Sequence, residues 1–167
     1  MYQIGDYVVK TGNGVCHIED IQHLNMSDVD RNRLYYLLIP IEDKGAKLYV
    51  PVDNENSSIR QVMSRDEAWD MIHRIPQIEE AAIENDKLRE QSYKEAIRSG
   101  RPEELIRIIK HTYLRRQKRT AQGKKTTATD ERYFKMAEDK LYAELAFALG
   151  KDKGDMRGII TDAIKNI

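Results

Sequence analysis

The sequence predicts an α+β protein, a small N-terminal β-barrel followed by an all-helical C-terminal domain. Three observations carry the prediction. Residues 1–62 hold short β-rich runs separated by turn residues. At Ser64 the pattern changes to a helix-start signal. From Ile78 onward apolar residues recur at helical spacing.

In the front part, "YQIGDYVVK" is β-rich and broken at Gly5-Asp6, and "KTGNGVCHIEDI" places a Gly-Asn-Gly turn before a second run. "RLYYLLIPI" and "KLYVPV" follow, separated by "EDKGAK" with its turn at Lys44-Gly45. Runs this short and this closely spaced suit a barrel of about five strands rather than a βαβ unit. Pro40 and Pro51 cannot donate to a ladder and belong at edges or strand ends. "SRDE" at 64–67 is a capping box, with Ser64 as N-cap and Glu67 three residues on. The short helix that it opens carries Ala68, Trp69 and Ile72, ends at Pro76, and is expected to pack against the barrel. Residues 63–77 thus form a short helix and linker between a first domain, 1–62, and a helical domain, 78–167.

Ile78, Ala81, Ala82, Leu88, Tyr93, Ala96 and Ile97 supply helical spacing that ends at Ser99-Gly100. Pro102 suits the first turn of the next helix. Leu105, Ile108, Ile109, Thr112 and Tyr113 make one face of that helix. Arg107, Lys110, His111, Arg115, Lys118 and Arg119 gather on the other, with Leu114 among them. "TAQGKK" reads as a loop, and Thr127 with Asp130 resembles a second capping box. A long helix then presents Phe134, Ala137, Leu141, Leu145, Ala148 and Leu149 inward and stops at Gly150. "MRGIITDAIKNI" is expected to form a last short helix.

The chain has 167 residues, 40 % of them apolar or aromatic and 34 % charged, with 28 basic and 28 acidic side chains and no net charge. Mean hydropathy is −0.70. The balance hides a dipole. Residues 1–62 carry six basic and nine acidic side chains, 63–84 two and six, 85–125 thirteen and five, and 126–167 seven and eight. The middle is therefore basic, most densely in "YLRRQKRTAQGKK", with six Lys and Arg in thirteen residues. No apolar run is long enough to cross a bilayer, the first residues do not read as a signal peptide, and the single cysteine, Cys16, excludes an internal disulfide framework. A cytoplasmic protein is expected.

Catalytic patterns are absent. His17, His23, His73 and His111 are scattered, with no H-E-x-x-H and no cysteine pair for zinc. Cys16 and His17 are adjacent on a strand, so they point to opposite faces and form no dyad. Gly12-x-Gly14 opens no helix. "GKKT" at 123–126 has Lys118 where a phosphate loop needs its first glycine and Lys125 where it needs Ser or Thr. No enzyme, metal or cofactor is expected. The basic stripe is the remaining signal. No acidic residue interrupts it between Ile106 and Ala128, and it runs into a Gly-Lys-Lys loop that could follow a phosphate backbone. Nothing in it places side chains on base edges.

A barrel with "IGDYVV", Gly14-Val15 before a strand, "YYLL" and "YVPVDN" at 49–54 resembles the CarD/CdnL family of bacterial transcription regulators. The helical half adds "AIRSGRPEELIRIIKHTYLRRQKR" and "AEDKLYAELAFAL". The resemblance implies a Tudor/SH3-like RNA-polymerase-interaction domain, of the kind also found in the transcription–repair coupling factor, and no enzymatic activity. It further implies docking of a strand edge on the polymerase β subunit, with the helical domain against promoter DNA and a changed lifetime of the open complex. Lys47, Leu48, Tyr49 and Val50 align with the family's docking strand, and a proline at Leu48 would be the corresponding test. Family members place a tryptophan near the start of the first C-terminal helix. Counting back from Ser99-Gly100, that position is Asp86, and Trp69 belongs to the preceding helix.

On this reading Lys87 and Arg89, together with Arg107, His111, Arg115, Arg116, Lys118, Arg119, Lys124 and Lys125, are the expected contacts to DNA phosphates. The contacts are non-specific in sequence, and the protein is expected to act as a monomer away from membranes. Two alternatives stand beside it. The chain could be a polymerase-associated adaptor that touches no DNA, or an RNA-binding module, for which Tyr35, Tyr36 and Tyr49 would have to serve as stacking surfaces.

Overall fold

The computed structural model describes residues 1–53 and 58–165. Asn54, the last residue of the "YVPVDN" motif, and the final two residues lie outside these. The fold is α+β and divides into two compact units, Met1–Val62 and Met63–Ile167.

The first unit is one antiparallel sheet of five strands, β1 (Tyr7–Lys10), β2 (Gly14–His23), β3 (Leu34–Pro40), β4 (Leu48–Pro51) and β5 (Ile59–Gln61). Their order is β4-β3-β2-β1-β5, so the sheet curls as a half-barrel with β4 and β5 at its two edges. The tight turn between β1 and β2 sets Gly12 at φ 89° and Gly14 at φ 77°, a region that side chains disfavour. Val8, Cys16, Ile18, Tyr36, Leu38, Val50 and Ile59 form the core, drawn from alternating strand positions. A bulge between Ile18 and Asp20 shifts β2 against β3, so that Ile21 comes opposite Tyr36.

The second unit is built of α1 (Arg65–Arg74), a 3-10 turn (Ile75–Gln77), α2 (Asp86–Ser99), α3 (Pro102–Ala121), α4 (Ala128–Leu149) and α5 (Lys153–Lys165). α4 is its centre and packs against all four other helices. Its buried Tyr133, Ala137, Leu141, Tyr142, Leu145, Ala146 and Leu149 surround more than a narrow stripe, as expected of a helix enclosed on several sides. Glu138 is buried too, and Arg157 of α5 donates to its Oε2 at 2.7 Å.

The sequence signals for helix ends are realised in detail. Ser64 and Glu67 form a reciprocal capping box, and Gly100 and Gly150 close α2 and α4 in the left-handed region. α1 packs on α4 and α5, with Ala68 and Ile72 in the helical core. One expectation fails. The helical spacing over 78–85 does not yield a helix, since α2 begins only at Asp86, with the Asn85 side chain capping Leu88 N–H. Residues 78–85 instead form an irregular strap along α3.

Lys110 holds the start of that strap. The sequence places it on the cationic stripe, but in the structure it is 4 % exposed. Its Nζ donates to the carbonyls of Ile75 at 2.8 Å, Pro76 at 3.3 Å and Ile78 at 2.6 Å, and so ties these three acceptors together where the 3-10 turn ends. Burial pushes its pKa down. The Ala81 N–H donates to Arg107 O at 3.2 Å a turn away. Lys110→Met keeps the aliphatic stem and removes the donor. It should lower the unfolding free energy by about 1–3 kcal/mol, because buried carbonyls lose their partner, and denaturant titration of the full chain reads that change.

Candidate docking edge and nucleic-acid interface

Two places carry exposed, chemically directed groups, one in each unit. The first is the edge of β4. Among the described residues its partner in the sheet is β3 alone, with Leu48 opposite Leu38, Val50 opposite Tyr36 and Pro51 opposite Tyr35. The Val52 N–H donates to Leu34 O at 3.0 Å. Antiparallel strands alternate, so Leu48 and Val50 also turn their N–H and C=O toward β3. Lys47, Tyr49 and Pro51 turn theirs outward. The outer row thus offers two donors, at Lys47 and Tyr49, followed by a proline that has none to offer.

The side chains divide the same way. Lys47 is exposed and Tyr49 is 38 % exposed, while Val50 is 3 % exposed in the core and Leu48 packs against it. Of the four residues expected on the docking strand, Lys47 and Tyr49 have exposed side chains. Leu48 and Val50 hold the strand in place. At the far end of β4, Arg33 and Asp53 form an ion pair of 2.7 Å at the surface.

The second place is the basic stripe, and here the structure redistributes the charge. Asp130, 1 % exposed, sits under the helix. Its Oδ2 accepts from Arg115 Nε at 2.7 Å and its Oδ1 from the Tyr93 hydroxyl at 2.9 Å. Arg89 Nε lies 3.3 Å from Oδ1, and its Nη1 donates to Asp86 at 2.6 Å. Burial alone would raise the Asp130 pKa, but hydrogen bonds from Arg115, Tyr93 and the Thr127 hydroxyl overcome it and hold the carboxyl below its ordinary value. The same burial, with the carboxylate as acceptor, pushes the Tyr93 hydroxyl well above the usual tyrosine value. Thr127 caps α4 by accepting from Asp130 N–H, yet the Asp130 side chain turns inward and does not complete a box.

Other members of the stripe also have partners within the fold. Arg107 lies 3.5 Å from Glu104, and His111 Nδ1 lies 3.1 Å from Glu80 on the strap. Arg116 stacks over the Phe134 ring at 4.7 Å, and Arg119 Nε donates to Lys125 O at 2.9 Å. Lys118, Lys124 and Lys125 remain exposed and meet no carboxylate among the described residues, as does Lys87 on α2. Within the stripe, the side chains without a partner among the described residues therefore lie toward the turn from α3 to α4, while Arg116 and Arg119 keep their positive charge on α3.

Asp130 is the residue that sequence reasoning missed. Its only visible sign was its place three residues after Thr127. The described residues hold no cluster of His, Cys, Asp and Glu suited to a metal ion, and no helix among them is long and apolar enough to cross a membrane.

Residues 2–63 match the family model of the CarD-like/TRCF RID domain. The match spans the first unit and ends where the helical unit begins. No curated protein matches the chain.

Proposed function

We propose that this chain, whose residues 2–63 belong to the CarD-like/TRCF RID family and so form a non-enzymatic RNA-polymerase-interaction domain, docks through the outer edge of β4 on the polymerase β subunit. The helical unit then meets the backbone of promoter DNA and alters the stability of the open complex. The protein acts as a cytoplasmic monomer and reads no bases. The outward N–H groups of Lys47 and Tyr49 carry the reading, since an incoming strand extends the sheet through them. Tethering to polymerase raises the local concentration of DNA, so a few phosphate contacts suffice.

The unpaired lysines at the α3–α4 turn supply those contacts. Replacing Lys118, Lys124 and Lys125 together with alanine should reduce the salt dependence of DNA retention by the polymerase complex. The log–log slope should fall by about 2–3, at roughly 0.9 for each phosphate no longer neutralised. Capture of polymerase itself should not change. The neutralisation of Arg89, Arg107, His111 and Arg115 within the fold favours a second reading, an adaptor that leaves DNA alone. An unchanged slope in the triple variant would select it.

A further inference from the structure

We propose that Asp86 is an exchangeable counter-anion, a carboxylate that stands on Arg89 where a nucleic-acid backbone phosphate can replace it. The inference rests on the DNA-contacting reading of the helical unit and assigns one position within it.

Arg89 and Arg115 face Asp86 and Asp130 in one connected network, and only with all four is it neutral. Three members are fixed by burial. The side chains of Arg89, Arg115 and Asp130 are 13 %, 25 % and 2 % exposed. Asp86 is 85 % exposed and meets Arg89 across a single turn of α2. An exposed pair of this kind contributes little, so it separates at small cost.

The inner side of Arg89 is incompletely satisfied. Its Nε is buried and makes no hydrogen bond, although Asp130 Oδ1 lies 3.3 Å away. The guanidinium therefore depends on an anion at its outer end, where Nη1 reaches Asp86. Neighbouring charges do not supply one, because Glu90 accepts from Arg132 and Tyr133 and lies near Lys94. Lys87, next to Asp86, is exposed and adds positive potential at the surface. A phosphate arriving there restores the balance that Asp86 provides in the free protein and releases counterions from the DNA. In the absence of DNA the network closes on itself.

Binding of the full-length chain to a non-specific DNA duplex, followed by fluorescence anisotropy across a salt series, tests the assignment. Asp86→Ala should tighten binding about two- to fivefold at low salt, the range of one exposed ion pair. The log–log salt slope should stay near the parent's, since Arg89 neutralises the same phosphate in both. Asp86→Glu should behave as the parent. In an Arg89→Gln background the gain from Asp86→Ala should vanish. As a readout without substitution at Arg89, the Asp86 carboxylate carbon in the parent chain should move toward its unpaired chemical shift as duplex is added.

An equal gain with and without Arg89 would overturn the proposal, since Asp86 would then act as plain surface charge. Binding by the parent with no change in Asp86→Ala would also overturn it, while leaving the DNA-contacting reading intact. No binding by any variant, alone or within the polymerase complex, would remove both.

Discussion

Replacing Asp130 with alanine should lower the unfolding free energy of the helical unit by about 3–5 kcal/mol, the cost of leaving buried charges without their partner. Asp130 is 1 % exposed and serves three elements at once. It draws Arg115 of α3 and Tyr93 of α2 onto α4, and its N–H receives the Thr127 cap. Removal leaves the Arg115 guanidinium and the Tyr93 hydroxyl without their acceptor and Arg89 with Asp86 alone. Asp130→Asn keeps the size but not the charge and should fall between the two. Denaturant titration of the full chain, read by helical circular dichroism, checks both.

The acid dependence follows from the same geometry. The folded carboxyl is held below its ordinary value, so its stabilisation is complete above the unfolded-state value of about 3.9. It is lost as pH falls through the folded value. The parent should therefore lose stability on acidification below about pH 4 more steeply than Asp130→Asn, which has no proton to take up there. Parallel acid limbs for the two proteins would show that the network does not govern this titration.

Tyr49→Pro should weaken capture of RNA polymerase by about tenfold or more, while the chain stays folded. The Tyr49 N–H points away from β3, so proline there removes an outward donor without breaking an internal ladder bond. An acceptor on the partner would be left buried and unmet, and that costs about 1–3 kcal/mol. Tyr49→Ala separates the ring from the N–H and should retain part of the capture. Proline at Leu48 is a poorer probe than sequence alone indicates, because the Leu48 N–H faces Leu38 and its loss damages the sheet itself. Capture by Tyr49→Pro equal to the parent would remove β4 edge pairing as the docking mode.

Much of the scaffold could be read directly from the chain. The apolar, aromatic runs "RLYYLLIPI" and "KLYVPV", parted by a turn, locate β3 and β4, and Ser64 with Glu67, Gly100 and Gly150 mark helix ends through local chemistry. These signals act within a few residues, which is why they survive without tertiary information. The charge network does not. Asp130 lies 15 residues from Arg115 and 37 from Tyr93, and nothing local distinguishes it from a surface acid. Lys110 shares the expected cationic face with Arg107 and His111, yet only tertiary packing decides that it turns inward. The absence of acids between Ile106 and Ala128 suggested an open cationic face. The acids that quench it come instead from the strap, from an earlier turn of α3 and from the next helix. Asn85 ahead of Leu88 was a usable cap signal for the true start of α2, masked by the regular apolar spacing before it.

Pro51 has a consequence for how copies of this protein treat one another. Two β4 edges laid head to tail about Tyr49 would set each Lys47 carbonyl against a partner's Pro51, and both of those rungs would be missing. A foreign strand with an ordinary residue at that place would lose nothing on its own side. An edge pairing of this kind would thus be poorer between twins than with a stranger, and Pro51 would set a limit on runaway stacking.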